Sequence, residues 1–408
     1  MRGRMDGQVR RRRVFYVPGY DPFPPRRYRE LYRREGALQA QISGYALKLA
    51  PQKGGREGYG WQVEAETEGL ASAAQVTVLV WADLVQASMR QGVLGSYWLM
   101  LRTLWIFFST GALVAMIRLR PAPMLSGAYP VAMLIVQAGL AAGLGWLIYR
   151  LGGWALAGTV WGIWLAAGLG LAAAYGLLLA FQRLDRKLFA YYLLYDFAHT
   201  ARLRGANSPA LEARIAEFVA QIRTALTEDW DEVLVIGHSS GAALAVSVVA
   251  DVLRGPRPAE APPLALLTLG QAIPMQAFLP RAERLRRDLH DLAARDDLFW
   301  LDVSAPGDGC CFGLSDPVAV SGVAPPGKRW PIVISAAFSQ SLLPETWKRM
   351  RRRFFRLHFQ YLAAFDNPRD YDYFQITAGP RTLASRFAGR KPSPARIERV
   401  RSPHRSMA

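Results

Sequence analysis

Two stretches of this chain carry no charged residue: Pro121 to Tyr149 and Leu151 to Gln182. Each exceeds the ~20 apolar residues needed to cross a bilayer. Neither shows the polar face that a helix on a soluble core turns toward water. A weaker block, Tyr97 to Ile117, contains Arg102. On both sides of this region the pattern is that of a water-soluble α/β protein. Before it, Val14–Tyr20 and Val76–Trp81 read as buried strands, and Ile42–Leu49 and Tyr59–Glu66 as a hairpin across a Gly-rich turn. After it come helices over Ser208–Leu226, Ser240–Leu253, Arg281–Ala294 and Glu345–Phe365. Between them lie strands over Glu232–Ile236, Leu264–Leu269, Leu298–Val303 and Pro331–Ser335. Strands alternating with helices imply an α/β fold with a mostly parallel sheet flanked by helices.

Both flanks are needed to build one sheet, so they must lie on one side of the membrane and the number of spans must be even. The expected solution is an inserted transmembrane hairpin, Leu125–Tyr149 and Trp154–Leu178, with Tyr97–Ile117 lying in the interface or re-entering. A four-span arrangement stays open, because Leu151–Gln182 is long for one helix. Gly139–Gly143 and Gly158–Gly162 have the spacing of helix-packing glycines. The expected organisation is one α/β domain from residues 1–95 and 188–387, a membrane insertion at 96–187, and a disordered basic tail at 388–408.

The chain has 50 Lys and Arg against 32 Asp and Glu, a net charge of +18. Arg118 and Arg120 precede the hairpin, Arg183, Arg186 and Lys187 follow it, and only Arg150 sits at its expected tip. The positive-inside rule then places the α/β domain in the cytoplasm, against the inner membrane. Further charge lies in Arg10–Arg13, in Arg351–Arg353 and after Arg381. No basic stripe is interleaved with aromatics, which argues against nucleic acid; anionic lipid headgroups are the expected partner. The two cysteines, Cys310 and Cys311, are adjacent and cannot staple distant parts of a fold. No apolar segment follows the basic N-terminus, so no secretory signal is expected.

Gly237-His238-Ser239-Ser240-Gly241 joins a predicted strand to a predicted helix. In that context G-x-S-x-G has a physical meaning. The glycines permit a sharp turn, the central serine is exposed at the strand's carboxyl end, and the helix N-terminus points N–H groups at developing negative charge. Ser239 is the candidate nucleophile and Ser240 the donor of a backbone N–H. A structural turn, or an elbow without activity, is the alternative.

With these features the soluble parts resemble the α/β-hydrolase superfamily, in the manner of a membrane-associated bacterial member. The resemblance covers Val14–Trp81 and Ser208–Phe365. It implies a serine hydrolase that needs neither metal nor organic cofactor; the expected substrate is a carboxylic ester or a lipid-like acyl compound, the lipid preference resting on the hairpin anchor and basic surface that would hold the elbow near acyl chains. It also implies the chain order Ser, acid, His. Of the five histidines only His358 and His404 follow a plausible acid, and His404 lies in the tail. His358 is therefore the expected base. The acid is expected after the strand Leu298–Val303: Asp308 first, Asp316 as the alternative, Asp302 third. His238 is expected to support the elbow, and His199 and His290 to sit on helix surfaces. The second oxyanion donor is expected from Val17-Pro18-Gly19-Tyr20, where Gly19 permits close approach and Tyr20 supplies its N–H. Three features depart from the family pattern: Pro18 stands beside Gly19 where the family has histidine, the insertion precedes the nucleophile strand, and His358 lies on or beside a helix. They keep open a catalytically inactive scaffold that binds a lipid or protein partner. A transporter is disfavoured by the shortness of the apolar region.

Overall fold

A computed structural model describes residues 7–51 and 58–408. Most of the Gly-rich turn of the expected hairpin lies outside the described residues. Eight strands form one sheet: β1 (Arg11–Val17), β2 (Ala46–Pro51), β3 (Gly60–Thr67), β4 (Leu70–Val78), β5 (Glu232–His238), β6 (Leu264–Leu269), β7 (Leu298–Ser304) and β8 (Ile332–Ser335). Their order is β2-β3-β4-β1-β5-β6-β7-β8. From β4 to β8 all neighbours are parallel, whereas β2 and β3 form an antiparallel edge. The N-terminal and C-terminal flanks thus complete one sheet, with β1 hydrogen-bonded between β4 and β5.

The central strands β5, β6 and β7 are buried almost throughout because both faces are covered, whereas β3 at the antiparallel edge exposes alternate residues. Val233 and Val235 of β5 join one core with the helices α7 (Pro209–Ala225), α8 (Gly241–Arg254) and α9 (Glu283–Ala293). Leu234 and Ile236 join the opposite core, which holds Tyr28 and Tyr32 of α1 (Arg26–Ser43) and the C-terminal aromatics Tyr361 and Phe374.

The basic run at Arg10–Arg13 is partly interior rather than a lipid-facing patch. Arg12 and Glu232 are both fully buried. The Arg12 Nε donates to Glu232 at 2.6 Å, and its other nitrogens donate to the carbonyls of Gly379 and Arg381. A buried guanidinium is tolerable only when its donors are met in this way.

The hydrophobic region divides into three. Helices α2 (Val93–Ser109) and α3 (Ala112–Leu119) form one broken helix bent by 75°, with Gly111 left-handed at the break. Ile106, Phe107, Ala115 and Met116 of this pair belong to the same core as the sheet. Helix α4 (Pro121–Ala155) and helix α5 (Gly162–Arg183) are the two described helices long and apolar enough to cross a membrane. At 1.5 Å per residue α4 is about 50 Å long, more than the ~30 Å hydrocarbon core. Its first turns accordingly lie against the α/β domain. The turn of the hairpin falls at residues 156–161, so Arg150 lies within α4 rather than at the tip.

Close packing of α4 on α5 falls at Gly145 and Gly170. A Cβ on Gly145 would stand 2.8 Å from the Gly170 carbonyl oxygen, and one on Gly170 2.5 Å from that of Gly145. The expected pair Gly139 and Gly143 faces open space. Spacing alone marks where helices can approach, and the rotation of α4 decides which glycines do. Helix α6 (Ala190–Ala201) follows and returns the chain to the domain.

The tail also differs from expectation. It runs as an ordered strap: Ile397 exchanges backbone hydrogen bonds with Leu314 and Asp316, Arg401 bonds Val320, and Arg286 donates to the Ser406 carbonyl. A composition rich in Arg, Pro and Ser predicts disorder only where no partner surface exists, and here the β7–β8 side supplies one.

Candidate active site

Ser239 sits where β5 gives way to α8, with a backbone φ of 59°. A non-glycine residue in this region costs about 1–3 kcal/mol and persists only when its surroundings hold it. Its N–H donates to the Leu269 carbonyl at 2.9 Å, and its carbonyl accepts from Ala242 at 3.1 Å and Ala272 at 3.2 Å. The motif glycines are sterically required. A Cβ on Gly237 would lie 2.6 Å from the Ala242 Cα, and one on Gly241 2.3 Å from the Pro18 carbonyl oxygen. A Cβ on Gly19 would stand 3.0 Å from that of Ser239, so the Pro18–Tyr20 turn passes directly beside the serine.

His358 reaches the same place because the helix expected over Glu345–Phe365 is broken. It divides into Pro344–Met350, α10 (Phe354–His358) and a 3-10 turn at Gln360–Leu362. His358 ends α10, and both it and Asp308 are buried. Its Nδ1 lies 2.7 Å from Asp308 Oδ2, which also accepts from the Tyr361 hydroxyl at 3.1 Å. The other carboxyl oxygen accepts from the Cys310 N–H at 2.9 Å. Burial alone raises the Asp308 carboxyl, but the His358 charge and the hydrogen bonds from His358 and the Cys310 N–H outweigh it and hold the group below the usual carboxylate range. A carboxylate at Nδ1 keeps the proton on that nitrogen and leaves Nε2 as the acceptor. Nε2 is buried and has no hydrogen-bond partner among the described residues, and His358 lines one small cavity together with Ser239.

His238 supports this arrangement. Its ring stacks on that of His358, with centroids 4.8 Å apart, and its Nε2 lies 3.0 Å from the His358 carbonyl oxygen. Burial, followed by the nearby His358 charge, pushes it down to about 3, so it stays neutral and donates to that carbonyl.

The other sequence candidates separate by geometry. Asp316 is the N-cap of a short helix, accepting from Val318 and Ala319 and paired with Lys328 at 2.6 Å. Asp302 points into the sheet, where it accepts from the Thr268 hydroxyl at 2.6 Å. Asp308 alone of the three meets His358 among the described residues. Tyr20 departs from its expected role: its N–H donates to the Ser240 Oγ at 2.8 Å and is therefore already occupied. His199 is not on an open helix surface but packs against the rings of Tyr20 and Trp81, and burial pushes it down to about 4. His290 bonds the Val323 carbonyl at 2.9 Å, and His404 the Thr110 carbonyl at the α2–α3 break at 3.0 Å.

Several contributors carried no sequence signal. Tyr361 donates to Asp308 from three residues beyond His358. The start of α4 supplies Pro123, Met124 and Ser126 to the cavity wall. The Ser126 hydroxyl donates to the Gly309 carbonyl at 2.7 Å, and Arg120 donates to the Gly313 carbonyl at 2.8 Å. The insertion thereby fixes the loop that carries Asp308. From α6, Tyr192 donates to the Tyr20 carbonyl at 2.6 Å. Asp196 also lines the cavity; burial pushes its carboxyl up to about 7, although the His358 charge opposes the rise.

Asp308, Cys310 and His358 offer donor atoms within 4.8 Å of one another, which is metal-like clustering. The carboxyl oxygens, however, are already bonded to Cys310 N–H, His358 and Tyr361. Burial, and then the Asp308 charge, push the Cys310 thiol up and away from the thiolate a metal would need. The cluster therefore fits a proton-transfer pair better than a metal centre. A larger cavity of about 470 Å³ lies on the other side of the elbow; it reaches Ser240 and His199 but neither Ser239 nor His358. No family model matches the chain, and no significant match to it exists among curated proteins or solved structures.

Proposed function

We propose that this chain is a membrane-anchored serine hydrolase of the α/β-hydrolase type, acting on a carboxylic ester or a lipid-like acyl compound. One observation carries the reading: a serine held left-handed on a strand-to-helix turn shares a cavity with a histidine whose Nδ1 is bound by a buried carboxylate and whose Nε2 is unpartnered. In the proposed reaction Ser239 Oγ attacks the acyl carbon while His358 Nε2 takes the hydroxyl proton. Asp308 faces the imidazolium so formed. The proton passes to the departing alcohol, and water, deprotonated by His358, then releases the acid and regenerates Ser239.

The Ser240 N–H, at the N-terminus of α8, is placed to stabilise the oxyanion. Tyr20 supplies the second N–H once Ser240 rotates about its side-chain bond and releases it. No step calls for a metal or organic cofactor. The hairpin α4–α5 spans the inner membrane, and the cytoplasm holds the domain together with Arg118, Arg120, Arg183, Arg186 and Lys187. Anionic headgroups are the proposed partner of these cations.

A fluorophosphonate probe, which reacts with an activated serine, should label the purified chain but not Ser239→Ala. Equal labelling of both would remove Ser239 from the reaction. The second reading, a catalytically silent scaffold, is favoured by the tied Tyr20 N–H and by the small volume of the cavity, about 80 Å³. Absence of labelling in either protein would support it.

A further inference from the structure

The Ser239 cavity, at about 80 Å³, is far below the ~300–1,000 Å³ usual for a small-molecule site. An acyl substrate must therefore extend beyond it. Directly adjoining is a second cavity of about 560 Å³, and the two share Met124 and Phe197 in their walls. The second cavity lies between the broken helix α2–α3, the first half of α4 and helix α6. Its lining side chains are apolar apart from Thr103. Along α4 it runs from Pro121 to Ile135, about 20 Å of helix. Its outer members Leu125 and Ile135 are 71% and 59% exposed, so it is a groove open sideways on the apolar surface of the insertion.

We propose that this groove holds one acyl chain of a bilayer lipid, and that the substrate of Ser239 is the ester of such a chain, entering laterally from the leaflet next to the α/β domain. The inference rests on the hydrolase reading for its second half only. The groove's apolar lining and side opening match a single acyl chain. Met124 and Phe197 wall both cavities and stand between the groove and the serine, which sets the ester end on their far side. Met124 is unbranched and flexible, which suits a side chain that must yield as the carbonyl passes. The break at Gly111 brings Leu113, Met116 and Ile117 of α3 to the same hollow as Met100, Leu104 and Phe107 of α2.

Two measurements on the full chain in phosphatidylcholine–phosphatidylglycerol nanodiscs separate this proposal from the hydrolase reading. In the first, Ser239→Ala is crosslinked to a phospholipid bearing a diazirine on its acyl chain, and the adducts are mapped by mass spectrometry. Adducts should concentrate on the groove residues Met116, Val131 and Ile135. Ala128→Trp, whose parent is exposed at the groove edge, should lower them about tenfold, equivalent to ~1.4 kcal/mol. In the second, the ratio of kcat/KM for a sixteen-carbon ester to that for a four-carbon ester should fall about tenfold in Ala128→Trp. Ile135→Trp, at the far end, should shift the preferred chain length downward. It provides the same test if Ala128→Trp does not fold. Adducts spread evenly over α4 and α5, crosslinks to a second copy in place of lipid, or a selectivity ratio unmoved in a folded variant would overturn the groove. Groove adducts without hydrolysis of any ester would leave the groove standing and overturn the hydrolase reading instead.

Discussion

Replacing Asp308 with Asn tests the proposed proton path at its most constrained point. The carboxylate accepts three hydrogen bonds: Cys310 N–H at 2.9 Å, His358 Nδ1 at 2.7 Å and Tyr361 hydroxyl at 3.1 Å. An asparagine has one acceptor oxygen and one donating amide, so it satisfies only part of this set. If its oxygen faces the Cys310 N–H, its amide faces His358 Nδ1 and donates to it. The histidine proton then moves to Nε2, the nitrogen that must accept from Ser239. If the side chain flips, the amide opposes the Cys310 N–H inside a buried loop, which leaves an unmet donor at a cost of about 1–3 kcal/mol. The Cys310 N–H is fixed by its loop, so the first arrangement is favoured and the base is held in the wrong tautomer. In the Ser-His-Asp template this exchange lowers kcat about 10⁴-fold, or ~5.4 kcal/mol at 1.36 kcal/mol per decade. The assay is turnover of a soluble short-chain ester, with fluorophosphonate labelling of Ser239 slowed in parallel. The variant should remain folded, because the Cys310 contact survives. Turnover above about a tenth of the parent's would refute the argument that Asp308 sets the tautomer of His358.

Three other outcomes follow from the geometry. Gly241→Ala drives a Cβ into the carbonyls of Pro18 and Val17, at 2.3 and 2.6 Å; both are backbone atoms that cannot turn aside, so a loss of about 2–4 kcal/mol is expected in thermal or denaturant unfolding, and a stable variant would show that the turn relaxes. Burial raises the Asp302 carboxyl to about 8. The folded chain therefore keeps a proton that the unfolded chain has released, and stability should fall as pH rises from about 4 to about 8. Asp302→Asn should flatten that slope, and a slope unchanged would point to other groups. For topology, a cysteine at position 159, in the turn between α4 and α5, should react with an impermeant thiol reagent from the periplasmic side, whereas one at position 118 should not; the opposite pattern would reverse the proposed orientation.

The sequence by itself determined the parts of this protein that rest on local chemistry and on length. Charge-free runs longer than a bilayer is thick permitted little besides membrane-length helices, and the strand pattern on either flank required both flanks in one sheet. The glycines of GHSSG were legible because a sharp turn admits no Cβ, and the contacts at Gly237 and Gly241 supply the reason. Tertiary structure decided everything that depends on which surfaces meet. Position just beyond β7 ranked Asp308 ahead of Asp316 but could not decide between them, since each follows turn-forming residues; the choice is made where α10 ends and His358 meets Asp308. Arg12 reads as part of a solvated basic run until β5 brings Glu232 alongside. Gly145 and Gly170 cannot be told from Gly139 and Gly143 by spacing, because the rotation of α4 is set by its packing on α5. The cavity wall built by Met124 and Ser126, and the apolar groove behind it, arise where the apolar insertion folds back on the sheet domain. Such contacts join residues far apart in the chain, and their energies come from shape and burial, which a linear pattern does not record.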